Sequence, residues 1–193
     1  MIIGITGGTG CGKTTLLEAI EAAGGLVLDC DAIYHELLRS DKEMLAAIEN
    51  RFPGTVENGA LQRKKLGAIV FADDAALADL NRITHSAVKR EVLRRLEREN
   101  TLVAIDAIGL FEGGLAELCD MTVAVCAPVE MRVQRIMLRD GISEEYARSR
   151  IAAQHSDDWF RDRCSHVLEN DGTMADFQSK CVAFLHKVGI MNS

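Results

Sequence analysis

The sequence predicts an α/β fold in which helices cover both faces of a five-stranded parallel sheet. The first observation is a set of five short apolar runs, most of which are continuously apolar rather than alternating, as suits strands buried on both sides. These runs are Ile2–Thr6, Leu26–Asp29, Leu102–Asp106, Met121–Cys126 and His166–Glu169. The second is that helical periodicity fills the intervals, and alternating strands and helices form right-handed βαβ units. The third is a glycine-rich segment directly after the first run.

Helical patterns lie between the predicted strands and after the last of them. The predicted helices are Lys13–Ala23, Ala75–Asn100, Val129–Asp140, Ser143–Gln154 and Met174–Val188. Gly24-Gly25 is expected to stop the first of these, because glycine favours helix C-termini. Ser143 is expected to cap its helix, since a serine hydroxyl can accept a hydrogen bond from a free backbone N–H of the first turn.

The interval between the second and third strands, residues 32 to 101, is much longer than the others. It holds helical patterns and a turn-rich break over residues 52–59. We therefore expect a helical insertion over one end of the sheet. The whole chain is expected to form one domain, because 193 residues suit a single compact core.

Composition and charge exclude several classes of protein. Hydrophobic residues make up 48% and charged residues 26%, which excludes a mainly disordered chain. A net charge of −7 argues against nucleic acid as a partner. No apolar run is long enough to cross a membrane, and the N-terminal segment lacks the features of a secretory signal. The six cysteines follow no metal or redox spacing, so we expect reduced thiols in a cytoplasmic protein.

The glycine-rich segment predicts a phosphate-binding loop. Gly7-Gly8-Thr9-Gly10-Cys11-Gly12-Lys13-Thr14 matches G-x-x-x-x-G-K-[ST], between a predicted strand and a predicted helix. In such loops the backbone N–H groups surround phosphate, the lysine reaches the outer phosphates and the hydroxyl binds Mg²⁺. Lys13 and Thr14 take the last two roles. The candidate nucleotide-binding residues are Gly8, Thr9, Gly10, Cys11, Gly12, Lys13, Thr14 and Thr15. A dinucleotide-binding loop is not favoured, because Lys13 replaces its third glycine.

Two classes of phosphate-loop protein remain: small-molecule kinases and GTPase switches. Asp106-Ala107-Ile108-Gly109 fits the D-x-x-G of GTPases, but the guanine-reading N-K-x-D is absent from the sequence. Asp31, just after the second strand, favours a kinase, because a carboxylate there can accept a proton from an attacking hydroxyl. The alternative is that Asp31 only caps the helix expected to begin at Ala32.

A row of arginines also favours a kinase. Arg132, Arg135 and Arg139 share one helix face, and Arg148 and Arg150 follow on the next predicted helix. Arginine can stabilise a phosphoryl group during transfer, and a helix pair that carries it can act as a lid. The alternative is a solvated face whose arginines pair with Asp140, Glu144 and Glu145. Arg132 is expected to be such a solvated charge, tolerant of lysine.

Several motifs together resemble the dephospho-coenzyme A kinase family over nearly the whole chain. They are the phosphate loop, Asp29-Cys30-Asp31, Asn81-Arg82-Ile83-Thr84-His85, Asp106-Ala107-Ile108-Gly109-Leu110-Phe111-Glu112, Arg139-Asp140, Ile151-Ala152-Ala153-Gln154 and Val167-Leu168-Glu169-Asn170-Asp171-Gly172. The family usually has serine where Cys11 stands and proline where Ser86 stands. Ile108 and Gly109 also depart from its pattern.

The resemblance implies an ATP-dependent phosphorylation of the ribose 3′-hydroxyl of dephospho-coenzyme A, with Mg²⁺ and without an obligate protein partner. It implies a P-loop nucleotide core of residues 1–31 and 101–193, a helical acceptor subdomain of residues 32–100, and a lid of residues 132–155. Asp31 would be the base, Lys13 and Arg139 would act on the phosphoryl group, and Asn170 would border adenine. The candidate acceptor contacts are Asp31, Arg63, His85 and Glu112, although His85 is also expected as a packing or capping residue. The alternative activity is that of another P-loop small-molecule kinase.

Overall fold

A computed structural model describes residues 1–97 and 102–191 of the chain. The strands are β1 (Ile2–Thr6), β2 (Leu26–Asp29), β3 (Val56–Glu57), β4 (Ala60–Leu61), β5 (Val103–Asp106), β6 (Met121–Cys126) and β7 (His166–Glu169). The helices are α1 (Lys13–Ala22), α2 (Cys30–Ser40), α3 (Lys42–Arg51), α4 (Arg63–Val70), α5 (Asp74–Leu96), α6 (Val129–Asp140), α7 (Glu144–Ala152), α8 (Asp157–Arg163) and α9 (Met174–Lys187). A short 3₁₀ turn covers Ala116–Leu118.

The five predicted strands form one sheet in the order β2-β5-β1-β6-β7. Strand β1 lies in parallel between β5 and β6, and β6 pairs in parallel with β7. Four strands have the predicted bounds, and β5 begins at Val103, one residue after its predicted start. The predicted five-stranded α/β architecture is therefore confirmed.

The predicted helices are confirmed with small changes at their ends. Ser143 caps α7 and accepts a hydrogen bond from the Tyr146 N–H, as expected. The predicted end at Asn100 lies outside the described residues. The β3–β4 hairpin at the turn-rich break and helix α8 were not predicted, and α3 and α4 were anticipated only as helical patterns without bounds. Only Phe160 of α8 is buried, so its sequence carries almost no amphipathic signal.

The described chain falls into two compact units. The sheet unit comprises Met1–Leu28, Thr101–Leu110 and Leu115–Ser193, and the helical unit comprises Asp29–Asn100 and Phe111–Gly114. In the sheet unit, β1 and β6 supply fully buried residues to a core that α1 and α9 cover. In the helical unit, α5 packs against α2, α3 and α4. Among the described residues, no helix is both long and apolar enough to cross a membrane.

Candidate active site

The predicted phosphate-binding loop follows β1 and leads into α1. The loop can adopt its tight conformation because Gly12, with φ of 96°, takes a left-handed conformation that other residues avoid. A Cβ at Gly12 would also come within 2.3 Å of the Asn170 amide nitrogen. Thr14 has an exposed side chain at the start of α1. The Cys11 side chain is buried in the core of the sheet unit, and burial raises the pKa of its thiol. Only the backbone of Cys11 is available to a ligand.

Lys13 folds back over the loop. Its Nζ donates a hydrogen bond to the Gly7 carbonyl at 3.1 Å and lies 4.0 Å from the Asp106 Oδ1. Asp106 ends β5, the strand next to β1, so the sheet brings this carboxylate beside the lysine. A cation and a carboxylate at the carboxyl end of neighbouring parallel strands are typical of nucleotide and Mg²⁺ sites.

The Asn170 side chain binds the backbone of the loop at Cys11. Its Nδ2 donates to the Cys11 carbonyl at 2.8 Å, and its Oδ1 accepts from Arg135 at 3.1 Å. Arg135 also donates to the Gly10 carbonyl at 3.3 Å. The side chain of Asn170 is thus engaged with the protein itself. It holds the loop, and its buried amide faces Gly12 rather than solvent.

Arg139 lies at the exposed end of α6 and is held by Asp140. Arg139 donates to both carboxylate oxygens of Asp140, at 2.7 and 3.0 Å, and Arg150 donates to the same carboxylate at 2.5 Å. The hydrogen bonds from Arg139 and then Arg150 lower the pKa of Asp140 to about 2. The Arg139 Nη2 is 3.5 Å from the Thr9 hydroxyl. Arg139 is therefore an oriented, accessible cation beside the loop.

The expectation that Arg132 is a solvated charge is wrong. Its side chain is 2% exposed and pairs with Asp157 at 3.0 Å. The side chain is buried because the loop lies on one side of the guanidinium and the segment after α7 lies on the other. Arg148 does fit the solvated alternative, because it is exposed and pairs with Glu130 and Glu144.

The alternative in which Asp31 caps a helix is also wrong. Helix α2 begins at Cys30, and its cap is Asp29, whose side chain accepts from the Ala32 N–H at 3.0 Å. Asp31 lies in the exposed first turn and is free of that structural duty. The sequence D-x-D thus separates into a capping aspartate and an accessible one.

The remaining acceptor candidates all belong to the helical unit. His85 and Glu112 line a groove of about 500 Å³, together with Arg82 and Lys89. His85 is half-buried and Glu112 is exposed. Arg63 lies at the start of α4, close enough to Tyr34 to oppose the rise in the tyrosine pKa that burial causes. Arg63 is not among the residues that line the groove.

Besides the contacts of Asn170 and Arg135, sequence reasoning missed two contacts around the loop. Gln154 accepts from the Thr9 N–H, and Asp157 pairs with Arg132. Gln154 lies within a motif that resembles the family, but that motif assigned it no role. No sequence signal marks Asp157, which begins the unpredicted helix α8. The pairing of Arg139 with Asp140 agrees with the carboxylate partners expected for the arginine row.

No group of three or more His, Cys, Asp or Glu side chains suited to a metal ion occurs in residues 1–97 or 102–191. A Mg²⁺ ion that is bound with a nucleotide takes one or two protein ligands and completes its shell with phosphate oxygens and water. The exposed Thr14 hydroxyl and the Asp106 carboxylate are suitable ligands of that kind.

Comparison with known proteins agrees with this geometry. The family model described as dephospho-CoA kinase matches residues 1–176. A dephospho-CoA kinase of Syntrophotalea carbinolica is 35% identical over 194 residues, covering 97% of this chain and 92% of the relative. The crystal structure of TT1252 from Thermus thermophilus has a TM-score of 0.80 at 36% identity, covering 97% of each chain. A dephospho-CoA kinase from Campylobacter jejuni has a TM-score of 0.70 at 26% identity, covering 97% of this chain and 96% of that one. This chain therefore belongs to the dephospho-CoA kinase family.

Proposed function

We propose that this protein transfers the γ-phosphoryl group of ATP to the ribose 3′-hydroxyl of dephospho-coenzyme A, the final step of coenzyme A synthesis. The new bond joins the 3′-oxygen to the γ-phosphorus, and the bond to the β–γ bridging oxygen breaks. The hydroxyl proton passes to Asp31, and ADP leaves. The observation that carries the proposal is the glycine-rich loop with Lys13 and Arg139 beside it, in a chain of this family.

Charge on the moving group is balanced by cations beside the loop. Lys13 lies over the loop and takes the outer phosphates, and Arg139 approaches from the Thr9 side. Arginine and lysine so placed stabilise the negative charge spread over the equatorial oxygens during transfer. Thr14 and Asp106 would hold Mg²⁺, which supplies further neutralisation of the triphosphate. The adenine lies beside the backbone that follows Asn170, because the side-chain amide of Asn170 is committed to the loop.

The helical unit supplies the acceptor contacts and the base. Asp31 is exposed and does not cap α2, so it is available to orient the 3′-hydroxyl and accept its proton. The groove beside His85 and Glu112 also contains Arg82 and Lys89, whose charges suit the diphosphate of the acceptor. Arg63 is a further candidate contact.

The thiols and the proposed reaction both bear on the cellular compartment of the protein. All six cysteines are free thiols, and thiols persist in a reducing environment. The proposed reaction also consumes ATP, so we expect the protein to work in the cytoplasm.

The test is an assay of coenzyme A formation from dephospho-coenzyme A, ATP and Mg²⁺, with adenosine and shikimate as alternative acceptors. We expect turnover with dephospho-coenzyme A alone. Comparable turnover of another acceptor would replace this proposal by the activity of a different small-molecule kinase. A titration in which GTP binds more than about tenfold tighter than ATP would return the GTPase alternative.

A further inference from the structure

Arg132 is among the largest side chains that are fully buried in the described part of the chain. A guanidinium is costly to bury unless its charge is paired and its N–H groups have acceptors. The pairing requirement is met by Asp157, whose Oδ1 accepts from the Arg132 Nη1 at 3.0 Å. The other carboxylate oxygen of Asp157 accepts from the Ala127 N–H at 3.2 Å, directly after β6. Through Asp157, the arginine is therefore fixed to the carboxyl end of β6.

The guanidinium of Arg132 also packs against the phosphate-binding loop. Its Nε donates to the Thr9 carbonyl at 2.9 Å. A Cβ at Gly8 would come within 2.0 Å of Nη2, so the guanidinium lies directly against the Gly8 backbone. Any side chain at Gly8 would displace Arg132. The glycine and the arginine form one packed unit.

Gln154 holds Thr9 from the amide side. Its Oε1 accepts from the Thr9 N–H at 2.8 Å and lies 3.5 Å from the Arg132 Nη2. The carbonyl and the N–H of Thr9 are thus bound by two different side chains, which come from α6 and from the segment after α7. The hydroxyl of the same residue is the one that faces Arg139, at 3.5 Å.

We propose that Arg132, Gln154 and Asp157 form a clamp that positions the phosphate-binding loop at Thr9, and that Arg132 is its central positioning residue. This inference rests on the proposed function for its kinetic readout. The clamp fixes both peptide groups at Thr9, so the loop N–H groups and the Arg139 contact keep one geometry. Loss of the clamp lets that part of the loop move, which weakens nucleotide binding and misplaces Arg139.

The test compares Arg132→Met, Arg132→Lys and Gln154→Ala with the wild-type enzyme. We expect Arg132→Met to lower kcat/KM for ATP about tenfold or more, because it removes a buried hydrogen bond from a charged group. Lysine keeps the charge but not the fork, so Arg132→Lys should lie between Arg132→Met and wild type. Gln154→Ala should lower kcat/KM for ATP roughly threefold to tenfold. The KM for dephospho-coenzyme A should change little in all three.

Two control variants match these changes. Arg148→Met removes an exposed arginine from α7, and Gln134→Ala removes an exposed glutamine from α6. Both should keep the wild-type KM for ATP. Thermal unfolding is measured for every variant, because Arg132→Met leaves Asp157 without its buried partner and can prevent folding. Gln154→Ala leaves no buried charge, so it decides the question if Arg132→Met does not fold.

Calorimetric titration with ATP separates the clamp from the proposed reaction. A raised Kd for ATP in Gln154→Ala, with an unchanged melting temperature, supports the clamp even if dephospho-coenzyme A is not phosphorylated. Failure of the wild-type enzyme in the coenzyme A assay would contradict only the proposed function. If folded Arg132 and Gln154 variants melt earlier but bind and use ATP as wild type does, the three residues stabilise the fold and the clamp is wrong.

Discussion

Two arginine–carboxylate pairs, one in each unit, resemble each other in distance and differ in burial. Arg132 and Asp157 of the sheet unit are 3.0 Å apart, with side chains 2% and 18% exposed. Arg94 and Glu91 of the helical unit are 2.6 Å apart, but Arg94 is 49% exposed. The shorter pair lies on the surface of α5, where solvent screening leaves such pairs about 0 to 1 kcal/mol. The longer pair, Arg132 and Asp157, also contacts the phosphate-binding loop through Arg132.

The difference shows that the contacts beyond an ion pair decide its role. Arg94 pairs with Glu91 within α5. Arg95, the next residue, pairs with Glu91 and with Glu36 of α2, so these charges connect α5 only to itself and to α2. Arg132 connects Asp157 to a loop carbonyl, and Arg135 connects Asn170 to another. The cations of the sheet unit that contact the loop should therefore affect turnover, whereas Arg94 and Arg95 of α5 should affect only stability, and only slightly.

The largest effect is expected from Lys13→Ala. Loss of a cation at the outer phosphates should lower kcat roughly 10²- to 10³-fold while the melting temperature changes little. Lys65→Ala is the matched change in the helical unit, where Lys65 pairs with Glu57 on the surface. Steady-state kinetics and thermal unfolding check both. Equal, small kinetic losses would contradict the phosphate-loop assignment and remove the contrast between the units.

Asp31→Asn should be the exception within the helical unit. Asparagine keeps the shape but accepts no proton, so kcat should fall about 10²-fold with ATP binding retained. Asp29→Ala provides the contrast, because it removes the cap of α2 and should cost about 1 kcal/mol of stability. Kinetics and denaturant unfolding separate the two. A fully active Asp31→Asn would exclude this residue as the base.

Arg139→Lys should have a smaller effect. Lysine keeps the charge but cannot hold both oxygens of Asp140 and reach the loop with the same planar group. We expect kcat to fall about tenfold, with little change in the KM for dephospho-coenzyme A. Arg94→Lys is the control and should be close to wild type in kcat. If both variants change kcat by a similar small amount, Arg139 is a solvated surface charge and does not act on the phosphoryl group.

The smallest effect is expected for Glu91→Gln and concerns pH. The hydrogen bond from Arg94 is the main cause that lowers the pKa of Glu91 from 4.5 to about 2. A carboxylate whose pKa is lowered by folding contributes stability above its unfolded pKa, and that stability is lost as pH falls. Wild type should therefore be slightly more stable than Glu91→Gln at pH 7, and the difference should shrink between pH 4.5 and pH 2. A difference in melting temperature that stays constant over this range would contradict the pKa shift.

Local patterns allowed most of the fold to be predicted. Apolar runs identify the strands of the sheet, because a parallel sheet covered by helices buries both faces of its inner strands β1, β5 and β6. Helix α8 and the β3–β4 hairpin were not predicted, because each is short and mostly exposed and therefore carries little hydrophobic pattern. The phosphate loop was also predictable, since its glycines, Lys13 and Thr14 are adjacent in the chain.

By itself, the sequence determined the order of elements, the loop and the resemblance to one kinase family. Only the tertiary structure decided which charged residues are accessible. Arg132 and Arg139 look alike on one helix face, yet Arg132 reaches a loop residue 123 positions away and is buried there. Asp29 and Asp31 look alike too, until the start of α2 makes Asp29 the cap. Burial and capping depend on the three-dimensional neighbours of a side chain, and a spacing pattern along the chain contains no information about those neighbours.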